Sequence, residues 1–366
     1  MRYKRMPIEV ESPEELGYGN IRFNLSESSV SDRSIGGLNL SIPDLTLLYG
    51  EHRGSRALRS LVVQGAPGLS ADDVLITGGA AGALFIVSTC LLGPQDHLVV
   101  VRPNYATNLE TPRAIGCRIS FVDLEFEAAF KLDLDALIAA ITPQTRLVSV
   151  TCPHNPTGTV LTQAQLRELA ALTVSRGCRL LVDETYRDLA YEGVLPIAAS
   201  LGDHVISVSS LSKAYGVPGI RIGWLITTDA ALREMFLAAK EQINICGSVV
   251  DEWIAEQILA RRDQFLTSTL AEMRSRRECV STWIEGEELL EWVRPAGGVI
   301  CLPRMKSEPL GGTAAFYTRL LERHGTYVGP GHWFELSDRY FRLGYGWCAA
   351  DDLYSGLAAI SEALRR

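Results

Sequence analysis

One lysine stands among small hydroxyl residues in the stretch Ser209-Ser-Leu-Ser-Lys-Ala-Tyr-Gly-Val-Pro-Gly-Ile-Arg-Ile-Gly-Trp224. Lys213 has Ser210 and Ser212 just before it and Arg221 eight residues after it. The preceding Asp203–Ser209 reads as a short buried strand rich in β-branched residues. An amine at the end of a buried strand, beside a guanidinium, loses its proton more readily, because desolvation and like charge both lower its pKa. Serine hydroxyls and an arginine suit a phosphate. An activated lysine next to a phosphate site points to pyridoxal phosphate (PLP) held as a Schiff base. Taken alone, S-x-S-K is equally a surface Ser/Lys/Gly loop.

The residues that could serve such a group follow short apolar strands. Gly78-Gly-Ala-Ala-Gly82 opens a helix after Val74–Thr77, and free N–H groups at a helix start attract an anion. Tyr105 follows the strand His97–Arg102. Pro153-His-Asn-Pro-Thr-Gly158 follows Thr145–Thr151, and Asp183-Glu-Thr-Tyr186 closes Arg179–Asp183. Asp183 could also be a helix N-cap. Arg342 lies in the short apolar segment Tyr340–Tyr345, where a guanidinium needs an anionic partner, either a substrate or a buried salt bridge.

Together these strings resemble the class I/II aminotransferases. The lysine stretch fills every fixed position of S-x-S-K-x-x-G-x-x-G-x-R-x-G. Pro153–Gly158 matches P-x-N-P-T-G, and Tyr49–Arg59 matches Y-x-x-x-x-G-x-x-x-L-R. The resemblance runs in order from about Leu25 to the C-terminus. It implies an α/β fold, PLP-dependent transferase fold type I, with a mostly parallel central sheet flanked by helices and a smaller α+β domain. It implies PLP as cofactor, on Lys213. Gly79, Ala80 and Ala81 would cup the phosphate together with Ser210, Ser212 and Arg221. Relatives often carry Ser, Thr or Lys where Ala80 and Ala81 stand, so the phosphate would lean on Ser210 and Arg221. Tyr105 would stack on the cofactor ring, Asn155 and Tyr186 would reach its phenolic oxygen, and Asp183 its ring nitrogen. Arg342 and Asn155 would meet the substrate, Arg342 clamping its α-carboxylate. Tyr49 would reach the cofactor phosphate of a second subunit, which requires a homodimer with shared sites. The substrates implied are an amino acid and a 2-oxo acid. The same motifs serve other PLP reactions, such as a lyase or an arginine-type cyclase or oxidase.

Glu27 and Ser28 stand where relatives often have a glycine-containing strand beside the substrate. Glu27 is a solvated loop residue or a carboxylate that faces a cationic substrate side chain; the solvated reading is the default.

The elements that must position these residues alternate helix and strand over most of the 366 residues. Continuous apolar strands separated by helices such as Gln163–Ser175 fit a sheet buried on both faces. Ligands of such sheets bind beyond the carboxyl ends of the strands. Gln242–Phe265 and Leu266–Ile284 read as long helices leading to the smaller domain. The expected division is an arm over 1–35 that joins the small domain, a large PLP-binding domain over 36–255 and a C-terminal small domain over 256–366. A net charge of −8 and the lack of basic runs give no reason to expect nucleic acid. Eight scattered cysteines without C-x-x-C spacing read as reduced, and no metal site is expected. The polar N-terminus and the absence of a long apolar run suggest a cytoplasmic protein away from membranes.

Overall fold

The computed structural model describes residues 1–365. Its centre is a seven-stranded sheet of β1 (Val74–Gly78), β2 (His97–Arg102), β3 (Arg118–Asp123), β4 (Thr145–Thr151), β5 (Arg179–Asp183), β6 (Val205–Ser210) and β7 (Ile222–Ile226). Their spatial order is β1-β7-β6-β5-β4-β2-β3. Only β7 runs against the others, pairing antiparallel with β1 and β6. Both faces are covered. On β2, Val99 and Val101 pack toward the helix Gln163–Ser175. Leu98 and Val100 pack toward the helices Gly79–Leu91 and Ala230–Ile243. This two-sided burial is why these strands are continuous apolar runs.

The reversal of β7 decides where the chemistry collects. The carboxyl ends of β1, β4, β5 and β6 share one edge of the sheet with the amino end of β7. Register ties that edge together: Thr151 pairs with Asp183, Asp183 with Val208, Ser210 with Gly223, and Gly78 with Ile222. Arg221, which precedes β7, therefore arrives beside the loop that follows β1.

The C-terminal part packs the helices Arg262–Glu285, Thr313–Glu322 and Ala350–Arg365 around small sheets. One of these holds Ile300–Cys301, Phe341–Gly344 and Gly329–Pro330. The N-terminal segment joins this part, because Phe23–Asn24 pairs in parallel with Thr326–Tyr327. The segment is not wholly irregular: Pro7–Val10 and Pro13–Leu16 form single helical turns.

The expected helix over Gln242–Phe265 does not exist as one piece. Ala230–Ile243 ends at Asn244, and a new helix starts at Val249, with the Ser248 side chain accepting from Asp251 N. Gly247 sits so close to Glu252 that a Cβ would come within 2.1 Å of Oε1. The next helix starts at Arg262 rather than Leu266. No helix among the described residues is long and apolar enough to cross a membrane.

Candidate active site

A cavity of about 260 Å³ opens at the shared strand edge. Lys213 lines it, with its Nζ donating to Ser28 Oγ at 2.9 Å. The amine is pushed down to about 8, first by burial and then by the charges of Arg342 and Arg221, against an upward pull from Glu27 and Glu14. About a tenth of it is thus neutral at pH 7, far more than for an ordinary lysine, and the neutral amine is the state a nucleophile requires.

Asp183 ends β5 and is buried. Thr185 donates to its Oδ1 through both N (3.1 Å) and Oγ1 (2.6 Å), and Asn108 Nδ2 lies 3.5 Å from Oδ2. Burial raises this carboxyl, while those donors and Lys213 pull it down. Behind it, Asn104 Oδ1 accepts from Asn108 Nδ2, Thr151 Oγ1 and Tyr105 N. Asn108, Asn104, Thr151 and Thr185 were not singled out from the sequence. The spacing of Asn104 and Asn108, four apart across a helix start, was the available signal.

At the β1–β7 side, Gly79 has φ +74°, and a Cβ there would sit 2.5 Å from Arg221 Nη2. A Cβ on Gly223 would meet Gly79 C at 2.4 Å. The loop therefore lies directly on β7 and the guanidinium against the loop. Ala80 and Ala81 face the cavity, together with Ser210, Ser212 and Arg221. Backbone N–H groups at a helix start, two hydroxyls and a guanidinium form a seat for a dianion.

Opposite stands Arg342 on the strand Phe341–Gly344, 4% exposed. Its Nη2 donates to Ser26 O at 2.8 Å and its Nη1 to Asn155 Oδ1 at 3.4 Å. Its Nε is buried without a partner. Burial lowers its pKa, and no carboxylate pairs with it among the described residues. The salt-bridge alternative raised by the sequence is therefore absent, and an anion is wanted there. Tyr105 and Tyr186 also line the cavity, and Tyr186 Oη donates to Ser28 O at 2.7 Å.

The N-terminal segment closes the remaining side. Glu9, Glu14, Glu27 and Ser28 all line the cavity. Glu27 is half-buried and accepts from Tyr18 Oη at 3.2 Å, so it is not a solvated loop glutamate. Burial and the neighbouring Glu14 raise its carboxyl, partly offset by Lys213, Arg342 and Tyr18. Glu9 and Glu14 had no signal in the sequence. Tyr49 is not in the cavity; it is 79% exposed.

These groups fit PLP. A buried amine of lowered pKa, a buried carboxylate across from it and an anion seat at a glycine cradle are the three features that group requires. The orphaned guanidinium Nε adds a place for a substrate carboxylate.

The comparisons with known proteins agree. The family model described as aminotransferase class I and II matches residues 40–359. The chain is 32% identical to capreomycidine synthase of Streptomyces vinaceus, over 95% of this chain and 91% of that protein. It is 30% identical to an arginine–pyruvate transaminase of Pseudomonas aeruginosa, over 87% of this chain and 81% of that one. A PLP-dependent aminotransferase from Streptococcus suis superposes with a TM-score of 0.91 at 28% identity, covering 100% of this chain and 98% of that one. The match over most of the chain agrees with the cavity: this protein belongs to the class I and II aminotransferases and is a PLP-dependent enzyme of fold type I.

Proposed function

We propose that this aminotransferase takes its amino group from an amino acid with a cationic side chain and passes it to a 2-oxo acid. The carrying observation is Glu27, a half-buried carboxylate in the cavity that already holds Arg342 and Lys213. With Glu9 and Glu14 nearby, the arm side of the cavity is acidic, and an acidic wall without a cation is costly. The names of the Pseudomonas relative and its 30% identity support arginine-like substrates.

In this reading Lys213 Nζ would hold the cofactor and would carry the proton taken from the substrate Cα. Asp183 would keep the ring nitrogen protonated, and Ser210, Ser212, Arg221 and the Gly79–Ala81 backbone would hold the phosphate. The bound cofactor supplies an electron sink for the electrons left at Cα. Arg342 binds the α-carboxylate through its fork, with Asn155 beside it.

The segment before Gly50 supports a second subunit in this reading. Residues 41–50 have no regular structure, and Leu47, Leu48 and Tyr49 are 77%, 60% and 79% exposed. Ile243 and Ile245 are exposed nearby, where His52 Nδ1 lies 2.6 Å from Glu241 Oε1. Such an apolar strip suits a homodimer in which Tyr49 reaches the partner's site. A fully active monomer, by mass in solution, would remove this part.

A second reading, another PLP reaction on a basic amino acid, is favoured by the 32% identity to a protein named a synthase. One experiment separates the two. Purified enzyme is given pooled amino acids with and without pyruvate, and the products are read by mass spectrometry. Transamination gives a 2-oxo acid from a basic amino acid, with multiple turnovers only when pyruvate is present. Multiple turnovers without pyruvate would favour the second reading. Consumption of neutral or acidic amino acids alone would overturn the substrate assignment.

A further inference from the structure

The Glu27 carboxyl shares its cavity with two cations and so has an obvious wrong place to go. Lys213 and Arg342 both attract it. A carboxylate that swung onto either would neutralise the group needed for the chemistry or for the substrate carboxylate. The backbone cannot provide this freedom. Glu27 O packs so tightly over Gly344 that a Cβ there would lie 1.7 Å away, and Gly344 N donates to Leu25 O at 2.7 Å. Only the side-chain rotamer of Glu27 remains to be set.

Two groups set it. Tyr18 Oη donates to Glu27 Oε1 at 3.2 Å, and Asn24 Nδ2 approaches the same oxygen at 3.5 Å. Tyr18 is itself held. Its ring stacks on Trp347 with centroids 5.8 Å apart and planes 16° apart, and Trp347 Nε1 donates to Asp32 Oδ2 at 2.8 Å. Among the described residues, Tyr18, Trp347 and Asp32 do not line the cavity themselves.

We infer that Tyr18 is a positioning residue for specificity: it holds the Glu27 carboxylate on the arm side of the cavity, where it meets the cationic end of a substrate side chain, and keeps it off Arg342 and Lys213. This rests on the reading of Glu27 as the partner of a cationic substrate. The supporting physics is the strength of a hydrogen bond to a charged acceptor, enough to bias one rotamer heavily.

The test uses two unreactive probes on the PLP-loaded enzyme. 5-Guanidinopentanoate carries the carboxylate and the cation but no amino group; pentanoate carries the carboxylate alone. Their dissociation constants, by calorimetry, define a preference for the cation. Glu27→Gln should erase that preference. Tyr18→Phe keeps the stacked ring and removes only the hydroxyl; it should cut the preference by about tenfold. In the Glu27→Gln background, Tyr18→Phe should change the preference no further, because there is no charge left to position. If Glu27→Gln erases the preference and Tyr18→Phe leaves it whole, the inference falls and the substrate reading stands. An equal loss from Tyr18→Phe in both backgrounds would also overturn it, since Tyr18 would then act by direct contact. If Glu27→Gln leaves the preference intact, both fall together.

Discussion

The two walls of the cavity are built in different ways. The cofactor wall stands on the ends of β1, β4, β5, β6 and the start of β7, whose registers are locked across a sheet buried on both faces. Its groups cannot move without moving the core. The arm wall stands on two single helical turns and a two-residue strand. Its groups are placed by side-chain contacts, such as Tyr18 to Glu27 and His332 to Glu11. On the proposed reading the difference assigns labour: reaction type would belong to the rigid wall, and choice of substrate to the wall that can be re-cut without disturbing the fold. That division can be broken at either side.

The largest effect should come from the rigid wall. Lys213→Ala is expected to abolish turnover, while PLP still binds through Asp183, Arg221 and the serines. Equilibrium dialysis with PLP and a turnover assay check the two halves. Turnover surviving at a few per cent of wild type would show that another group does the work. Next is Arg342→Lys, which keeps the charge but loses the fork. It should cost about 3 kcal/mol in kcat/KM, roughly a hundredfold or more, for every amino acid alike. A loss confined to basic substrates would mean that Arg342 belongs to the choice of side chain, and the two-wall division would fail.

Glu27→Gln comes third and should be selective. Removing the charge should lower kcat/KM for arginine by about tenfold or more, with a much smaller effect on alanine. Equal loss for both would place Glu27 in the common machinery instead.

The two walls also differed in how far the sequence revealed them. β2, β4, β5 and the helix Gln163–Ser175 lie where their apolar runs and periodicity put them, because two-sided burial leaves an unbroken signal. The polar residues at those strand ends were found for the same reason: a buried strand announces where its loop must begin. The arm offers no such signal. Pro7–Val10 and Pro13–Leu16 are too short for periodicity, and Glu9 and Glu14 reach the cavity only because the chain wraps back onto the C-terminal part. The burial of Glu27 is likewise a tertiary fact. The false helix over Gln242–Phe265 is a different failure. Asn244, Gly247 and Ser248 were legible as a stop and a new cap, and apolar content in the flanking turns outweighed them.

A chemical check on the rigid wall follows from the lowered pKa of Lys213. In cofactor-free enzyme the amine is charged below about 8 and neutral above it. Only the neutral amine captures an aldehyde, so the rate of covalent PLP capture should rise with pH and level off above about 8. An amine like that of an exposed lysine would keep rising to about 10.4. A profile still climbing steeply at pH 9.5 would mean that the buried, cation-flanked environment does not act on Lys213.

The smallest effect is expected at the clasp that holds the arm. His332 Nδ1 lies 2.8 Å from Asp338 Oδ1 and Nε2 lies 2.8 Å from Glu11 Oε2, an oxygen that also accepts from Trp333 Nε1 at 2.8 Å. Burial lowers the imidazole's pKa, but hydrogen bonds and charge from Glu11 and Asp338 outweigh it, so the net shift is upward. The sign follows. A histidine whose folded pKa exceeds its unfolded value stabilises the fold fully below the unfolded value of about 6.5, and that contribution is lost as pH rises through the folded value. His332 is 40% exposed at its side chain, so solvent screens the pair and about 1 kcal/mol or less is expected. His332→Gln should therefore lower the melting temperature more at pH 6 than at pH 9, with the whole difference on the acid side. Glu11→Gln should show the same pH dependence, because it removes the other half of the pair. Equal destabilisation at both pH values would mean that the clasp works by packing of Trp333 and Ile8 alone. The arm would then be held as the sheet is, by apolar contact, and the contrast between the two walls would rest on Glu27 and Tyr18 alone.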